Sequence, residues 1–114
     1  MNARETNIIL RQKVRTELAA FRRRLLSQSQ QYVLDHACEY ATKMDMVTLI
    51  NETEFSEEEA RAMLTKPRLL DSLFKEYGNH SSNSMDVLVS FMMDKADEYA
   101  DAGQNKAVRN ADVR

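Results

Sequence analysis

The chain has 114 residues, 43% of them hydrophobic and 30% charged, with a net charge of −2, two glycines, one proline, one cysteine and no tryptophan. That length sets one domain, and the scarcity of glycine and proline disfavours a turn-rich β-sandwich or barrel. No run approaches the roughly 18 to 20 apolar residues of a membrane span, no apolar segment follows the polar start as in a signal peptide, and the lone Cys38 excludes an internal disulfide framework, all of which suits a cytoplasmic protein.

A first helix is predicted over about residues 4–27, because Leu10, Val14, Leu18, Phe21 and Leu25 recur at spacings of three and four and share one face. Ser27 and Ser29 then interrupt the pattern and supply capping hydroxyls. A second helix carries Val33, Ala37, Tyr40, Ala41 and Met44 inward and runs to about Ile50, with a bend or break expected near Asp45. Ser56 opens a third helix through a capping box with Glu59, and the carboxylates of Glu57, Glu58 and Glu59 suit its positive end. It ends near Leu64.

Pro67 fits the first turn of a fourth helix, whose apolar face is Leu69, Leu70, Leu73, Phe74 and Tyr77 and whose end is Gly78. Residues 79–83 form a loop. Ser84 starts a last helix with Met85, Leu88, Val89, Met92, Ala96 and Tyr99 inward, closed by Gly103. Residues 104–114 show no apolar period and form a disordered tail. The fold class is therefore all-α, a small bundle of four to five helices, with residues 1–103 as a single domain and 104–114 as a flexible tail. The methionines fill an adaptable core or form a sticky surface.

Catalytic chemistry finds little support. A metal site needs three or four converging ligands, and the chain has two histidines and one cysteine. His36 and Cys38 sit two apart on a helix and point to different faces. Asp35 and Glu39 share a face but lack the Glu-x-x-His partners of helical di-iron sites. Cys38 has no adjacent base to activate it, and two glycines leave no phosphate-cradling loop. The expectation is a non-enzyme with no cofactor, no metal and no small-molecule substrate.

Charge is distributed unevenly. Residues 1–26 hold seven Lys/Arg against Glu5 and Glu17, net +5, and the remaining nine basic and 16 acidic groups leave net −7. Arg4, Arg11, Arg15 and Arg22 fall within about 40° of one another around the first helix, a ridge about 27 Å long, and Arg23 and Arg24 widen it. Guanidinium groups in that order can meet phosphate oxygens, with steep salt dependence. They can equally pair with neighbouring acidic helices and lay their stems over the core edge.

On the last helix, Asp86, Asp94, Asp97 and Asp101 lie within about 80°, away from the methionine stripe. Such a face is either simply solvated or a surrogate for nucleic-acid phosphates aimed at a basic groove. A helix-turn-helix over 57–64 and 67–77 is a weaker candidate, because its second helix sets Arg68 and Lys75 beside Asp71 and Glu76.

The stretch Ser56, Glu57, Glu58, Glu59, Ala60, Ala62, Leu64, Pro67, Leu70, Asp71, Leu73, Tyr77, Ser84, Met85, Asp86 and Leu88, with the amphipathic first helix, resembles a family of small helical proteins encoded on plasmids, conjugative elements and phages of gut Firmicutes. The likeness covers about residues 5–102. It rests on capping, turn and core residues, so it implies a shared fold more than a shared activity. The Arg-rich start, small size and absence of catalytic groups also resemble anti-CRISPR proteins of the type II-A class, which block an RNA-guided Cas nuclease. That resemblance implies a host Cas nuclease, its guide RNA, or both, as partners, and carries over no functional residues. The expected function is inhibition of such a nuclease by blocking nucleic-acid binding or guide loading. The alternatives are a nucleic-acid-binding regulator of the mobile element and a structural module pairing through an apolar helix face.

Overall fold

The structure, a computed structural model, describes residues 2–77 and 85–112, with side chains as far as residue 102. The chain is all-α. Among the described residues there are six helices: α1 (Ala3–Leu26), α2 (Gln30–Asp35), α3 (Ala37–Glu52), α4 (Glu57–Leu64), α5 (Leu69–Tyr77) and α6 (Met85–Asp112).

The start of α1 is set by Asn2, whose Oδ1 accepts from the Glu5 amide at 2.9 Å. Leu10, Val14 and Leu25 are buried as their spacing predicts, while Leu18 and Phe21 are half-buried. The same face also buries two polar residues, Thr6 and Asn7.

The second predicted helix needs correction in three respects. It divides at His36 (φ −110°, ψ 9°) into α2 and α3, whereas α3 runs unbroken through Asp45. Ser29 caps α2, its Oγ accepting from the Tyr32 amide. The His36 amide is then shared between the carbonyls of Tyr32 (3.1 Å) and Val33 (3.3 Å), a tightened turn that ends the helix.

The third respect is the inward face. Ala37, Ala41 and Met44 are exposed and Val33 and Tyr40 half-buried, while Lys43, Met46, Val47 and Ile50 are buried. Apolar residues surround α3 on most sides, so periodicity alone does not choose its inner face. The choice is made by packing against α1, α5 and α6, which buries Met46 and leaves Met44 exposed although the side chains are the same, and which takes in Lys43 where partners await it.

The capping box of α4 is present: Ser56 Oγ accepts from the Glu59 amide and Glu59 Oε1 from the Ser56 amide, both at 3.1 Å. Helix α4 packs between α1 and α6, and its fully buried Ala60 lets both neighbours approach closely. Pro67 lies in the turn ahead of α5 rather than in its first turn. The beginning of α5 is capped from outside, the Leu70 amide donating to Glu17 Oε1 of α1 at 2.9 Å. The predicted Gly78 terminator, the 79–83 loop and the Ser84 start lie outside the described residues.

Along α6, Leu88, Met92, Ala96 and Ala100 are buried and Tyr99 is half-buried. Met85 and Val89, expected inward, are exposed (44% and 40%). The helical backbone continues past Gly103 to Asp112. Ala100 is the last buried residue among those described, so the core ends where the apolar period of the sequence ends. One contiguous core joins α1, α3, α4, α5 and α6. Tyr77 and Phe91 add a tilted ring contact at 5.2 Å between α5 and α6.

Candidate functional site

The arginines of α1 are separated by their surroundings into committed and uncommitted groups. Arg11 is half-buried; its Nη2 donates to the Thr53 carbonyl at 3.2 Å and pairs with Glu54 Oε1 at 3.1 Å, tying α1 to the α3–α4 connection. Arg15 turns its Nε back to the carbonyl of Arg11. Arg4, Arg22, Arg23 and Arg24 are exposed, and none makes an ion pair with a described residue. Nearby Lys13 pairs with Glu17 at 3.2 Å and donates to the Pro67 carbonyl. The ridge is thus interrupted at Arg11, and Arg22, Arg23 and Arg24 place most of its unpaired charge at the carboxyl end of α1.

Three of those free guanidiniums, Arg22, Arg23 and Arg24, occupy the last turns before Ser27. Their sum far exceeds the roughly half a negative charge of a helix carboxyl terminus, so the field there is positive. Arg24 also lines an open groove of about 470 Å³, together with the rings of Phe21, Tyr32, His36 and Phe74, with Lys75, and with the carboxylates of Glu39 and Asp71. Periodicity assigned Phe21 and Phe74 to the core and gave Tyr32 no role. Only the packing of α1, α2, α3 and α5 brings the four rings together.

The floor beside this groove holds a buried cation. Lys43 is 1% exposed. Its Nζ lies 2.7 Å from Glu39 Oε2, 2.6 Å from Asp71 Oδ1 and 4.0 Å from the centre of the Phe21 ring. Two carboxylates and a π face replace the water that the ammonium loses on burial. A second buried lysine, Lys95 of α6, pairs with Glu76 and, at 3.3 Å, with Glu98. Burial depresses its pKa, but the hydrogen bonds and charges of Glu76 and Glu98 outweigh that and raise it above 10.5.

Asp86, Asp94, Asp97 and Asp101 are all exposed, and none pairs with a described cation. The basic residue of α6 nearest them in sequence, Lys95, points inward to other carboxylates. This face therefore carries three close carboxylates, Asp94, Asp97 and Asp101, with Asp86 two turns away across Ser90, none of them paired with a cation among the described residues, and exposed Met93 and Val89 border it.

The two helices of the helix-turn-helix candidate are both present, but α5 packs against α1, α3 and α6, and Asp71 is held by Lys43. Among the described residues no three His, Cys, Asp or Glu side chains converge on a metal position. Cys38 is exposed, and His36 Nδ1 contacts the Tyr32 carbonyl at 2.9 Å. No helix, among the described residues, is long and apolar enough to cross a membrane.

Compared with known proteins, residues 6–100 match a family described as protein of unknown function, DUF3848. No curated protein and no solved structure matches the chain.

Proposed function

Because the chain belongs to the DUF3848 family, a description that carries no activity, we propose from its own surfaces that it is a non-enzymatic binding protein. Its acidic α6 face engages a positively charged, nucleic-acid-handling groove on another protein. The observation that carries this reading is the unpaired strip Asp86, Asp94, Asp97 and Asp101, beside a lysine already neutralised within the fold. Successive carboxylates at 94, 97 and 101 rise by about 4.5 and 6 Å along the helix. These rises are wider than the roughly 3.4 Å per nucleotide of one nucleic-acid strand, so the likeness is in the sign and density of charge and not in register. A surface of this kind gains association rate through long-range steering and loses it with salt.

Within this reading, the specific target is a type II-A RNA-guided Cas nuclease. Such an enzyme offers a basic channel for its heteroduplex and arginines that read a short duplex motif. Support for that target comes from the sequence resemblance to anti-CRISPR proteins. The decisive experiment is plasmid interference in cells carrying the nuclease, its guide and this protein. Wild-type protein is expected to restore plasmid survival, and Asp94→Lys with Asp97→Lys to abolish the rescue. Undiminished rescue by the charge-reversed protein removes the acidic face from the mechanism. Full interference across divergent type II-A nucleases, with folded protein present, removes the target.

The uncommitted Arg22, Arg23 and Arg24 support a second reading, a nucleic-acid-binding regulator of a mobile element. It predicts salt-sensitive binding to generic RNA or DNA in the absence of any nuclease.

A further inference from the structure

We infer that the groove between the carboxyl end of α1, α2, the start of α3 and α5 is a binding site for single-stranded nucleic acid, in which Tyr32 and Phe74 stack on bases and Arg24 and Lys75 hold phosphates.

Binding a single strand without reading its sequence takes two components, aromatic faces for successive bases and cations that follow the backbone. Both are gathered here by residues distant in sequence. Tyr32 is 41% exposed although it is a large aromatic residue, and its ring lies 3.9 Å from the His36 ring, which fixes its orientation. Phe74 faces the same groove from α5. A stacked, pre-oriented ring loses little entropy on accepting a base.

The charge balance favours an anion although two acids border the groove. Glu39 and Asp71 are both bonded to Lys43, whose charge offsets one of theirs. Arg24 and Lys75 on the rim turn the balance positive, and Arg22 and Arg23 extend the positive field along α1 without a competing partner among the described residues. The groove's 470 Å³ is within the size range of small-ligand sites, but it is largely open to solvent. An open site of this kind leaves room for a ligand that extends beyond it, as a polymer strand does, better than it encloses a metabolite. A duplex keeps its bases stacked on one another and offers no free base face, so the aromatic wall selects for single strands. None of these residues lies on α6, so the site is separate from the acidic face.

The test is fluorescence anisotropy with the full chain and labelled 12-nucleotide RNA, DNA of the same sequence, and the corresponding duplex, from 50 to 300 mM salt. Expected results are binding of single strands in preference to duplex, and a salt dependence that weakens in Arg24→Ala. Tyr32→Ala should lose about 5- to 100-fold in affinity with its salt dependence intact, since stacking is not ionic, and Tyr32→Phe should retain binding. Tyr32 is exposed and outside the core, and thermal melts of each variant keep misfolding from imitating the result. Asp94→Asn with Asp97→Asn should bind the oligonucleotides as the wild type does, whatever becomes of the acidic-face function. Absence of binding at 50 mM salt, equal affinity for duplex, or unchanged affinity in Tyr32→Ala overturns the inference. So does equal competition by a polyglutamate peptide, which would assign the groove to acidic protein segments.

Discussion

The carboxamide of Asn7 holds the backbone of Phe55 by both of its polar groups. Its Nδ2 donates to the Phe55 carbonyl at 2.8 Å, and its Oδ1 accepts from the Phe55 amide at 3.1 Å. Nδ2 also donates to the Ala3 carbonyl at 2.8 Å, so the buried side chain is satisfied on both sides. This pairing fixes the α3–α4 connection against the first turns of α1, and buries Phe55 as the lid of the core at that end.

Replacing Asn7 by Ala leaves a buried amide and a buried carbonyl of Phe55 without partners, at about 1–3 kcal/mol each. A loss of about 2–6 kcal/mol is expected in urea-unfolding midpoints converted with an unchanged m-value. Asn7→Asp should also be damaging, since a carboxylate can accept from the Phe55 amide but cannot donate to its carbonyl. An Asn7→Asp protein as stable as wild type at neutral pH would show that the bond to the carbonyl contributes nothing.

The Lys43 cluster predicts an asymmetry. Lys43→Met removes the buried charge, and the thioether chain fits among Phe21 and Phe74 while the partly exposed Glu39 and Asp71 regain water. Glu39→Gln with Asp71→Asn does the reverse, leaving the ammonium buried without a counter-charge, which costs about 3–5 kcal/mol. Chemical denaturation should therefore rank the double carboxamide variant below Lys43→Met. The opposite order would mean that the lysine's stem and ring contacts, rather than its charge pairing, hold α3 to α5.

Neutralising the α6 face should separate function from stability. Asp94, Asp97 and Asp101 lie three and four residues apart, where like charges repel by about 0.2–0.5 kcal/mol per pair. Changing all three to Asn is thus expected to leave the melting temperature unchanged or raise it slightly, while removing the plasmid rescue that the proposed function predicts. A drop of several degrees would show that the carboxylates support the fold.

At alkaline pH two neighbouring groups act in the same direction. Lys95 has a raised pKa, the pairing with Glu76 and Glu98 overcoming burial, so its contribution is complete below 10.5 and is lost as pH rises through the folded value. Burial, together with the charges of Glu76 and Glu98 and against that of Lys95, raises the Tyr99 phenol above 10.0. The folded state therefore holds that proton more tightly, and stability falls as pH climbs past 10.0. Melting temperatures recorded from pH 9 to 12 should decline, and less steeply in Lys95→Met with Tyr99→Phe. A profile identical in the two proteins would remove both groups from the transition.

What the sequence by itself determined was the part of the structure set within about four residues. Legible there were the all-α class, the span of α1, the Ser56–Glu59 capping box, the Ser29 hydroxyl cap, and the outward direction of the acidic side of α6, because capping and helical periodicity depend on near neighbours. Where apolar residues surround a helix, that local signal is degenerate. For α3 it selected Ala37, Ala41 and Met44, although Lys43, Met46, Val47 and Ile50 are the buried ones. Lys43 carries no sign in sequence of being internal, since the partner that admits it, Asp71, stands 28 residues away. Asn7 and Phe55 are separated by 48 residues, and Arg11 leaves the basic ridge for Glu54 across 43. The gathering of Phe21, Tyr32 and Phe74 around Arg24 is of the same kind. Burial of a polar group is favourable only where a specific counterpart waits, and packing of the helices alone decides which counterpart that is.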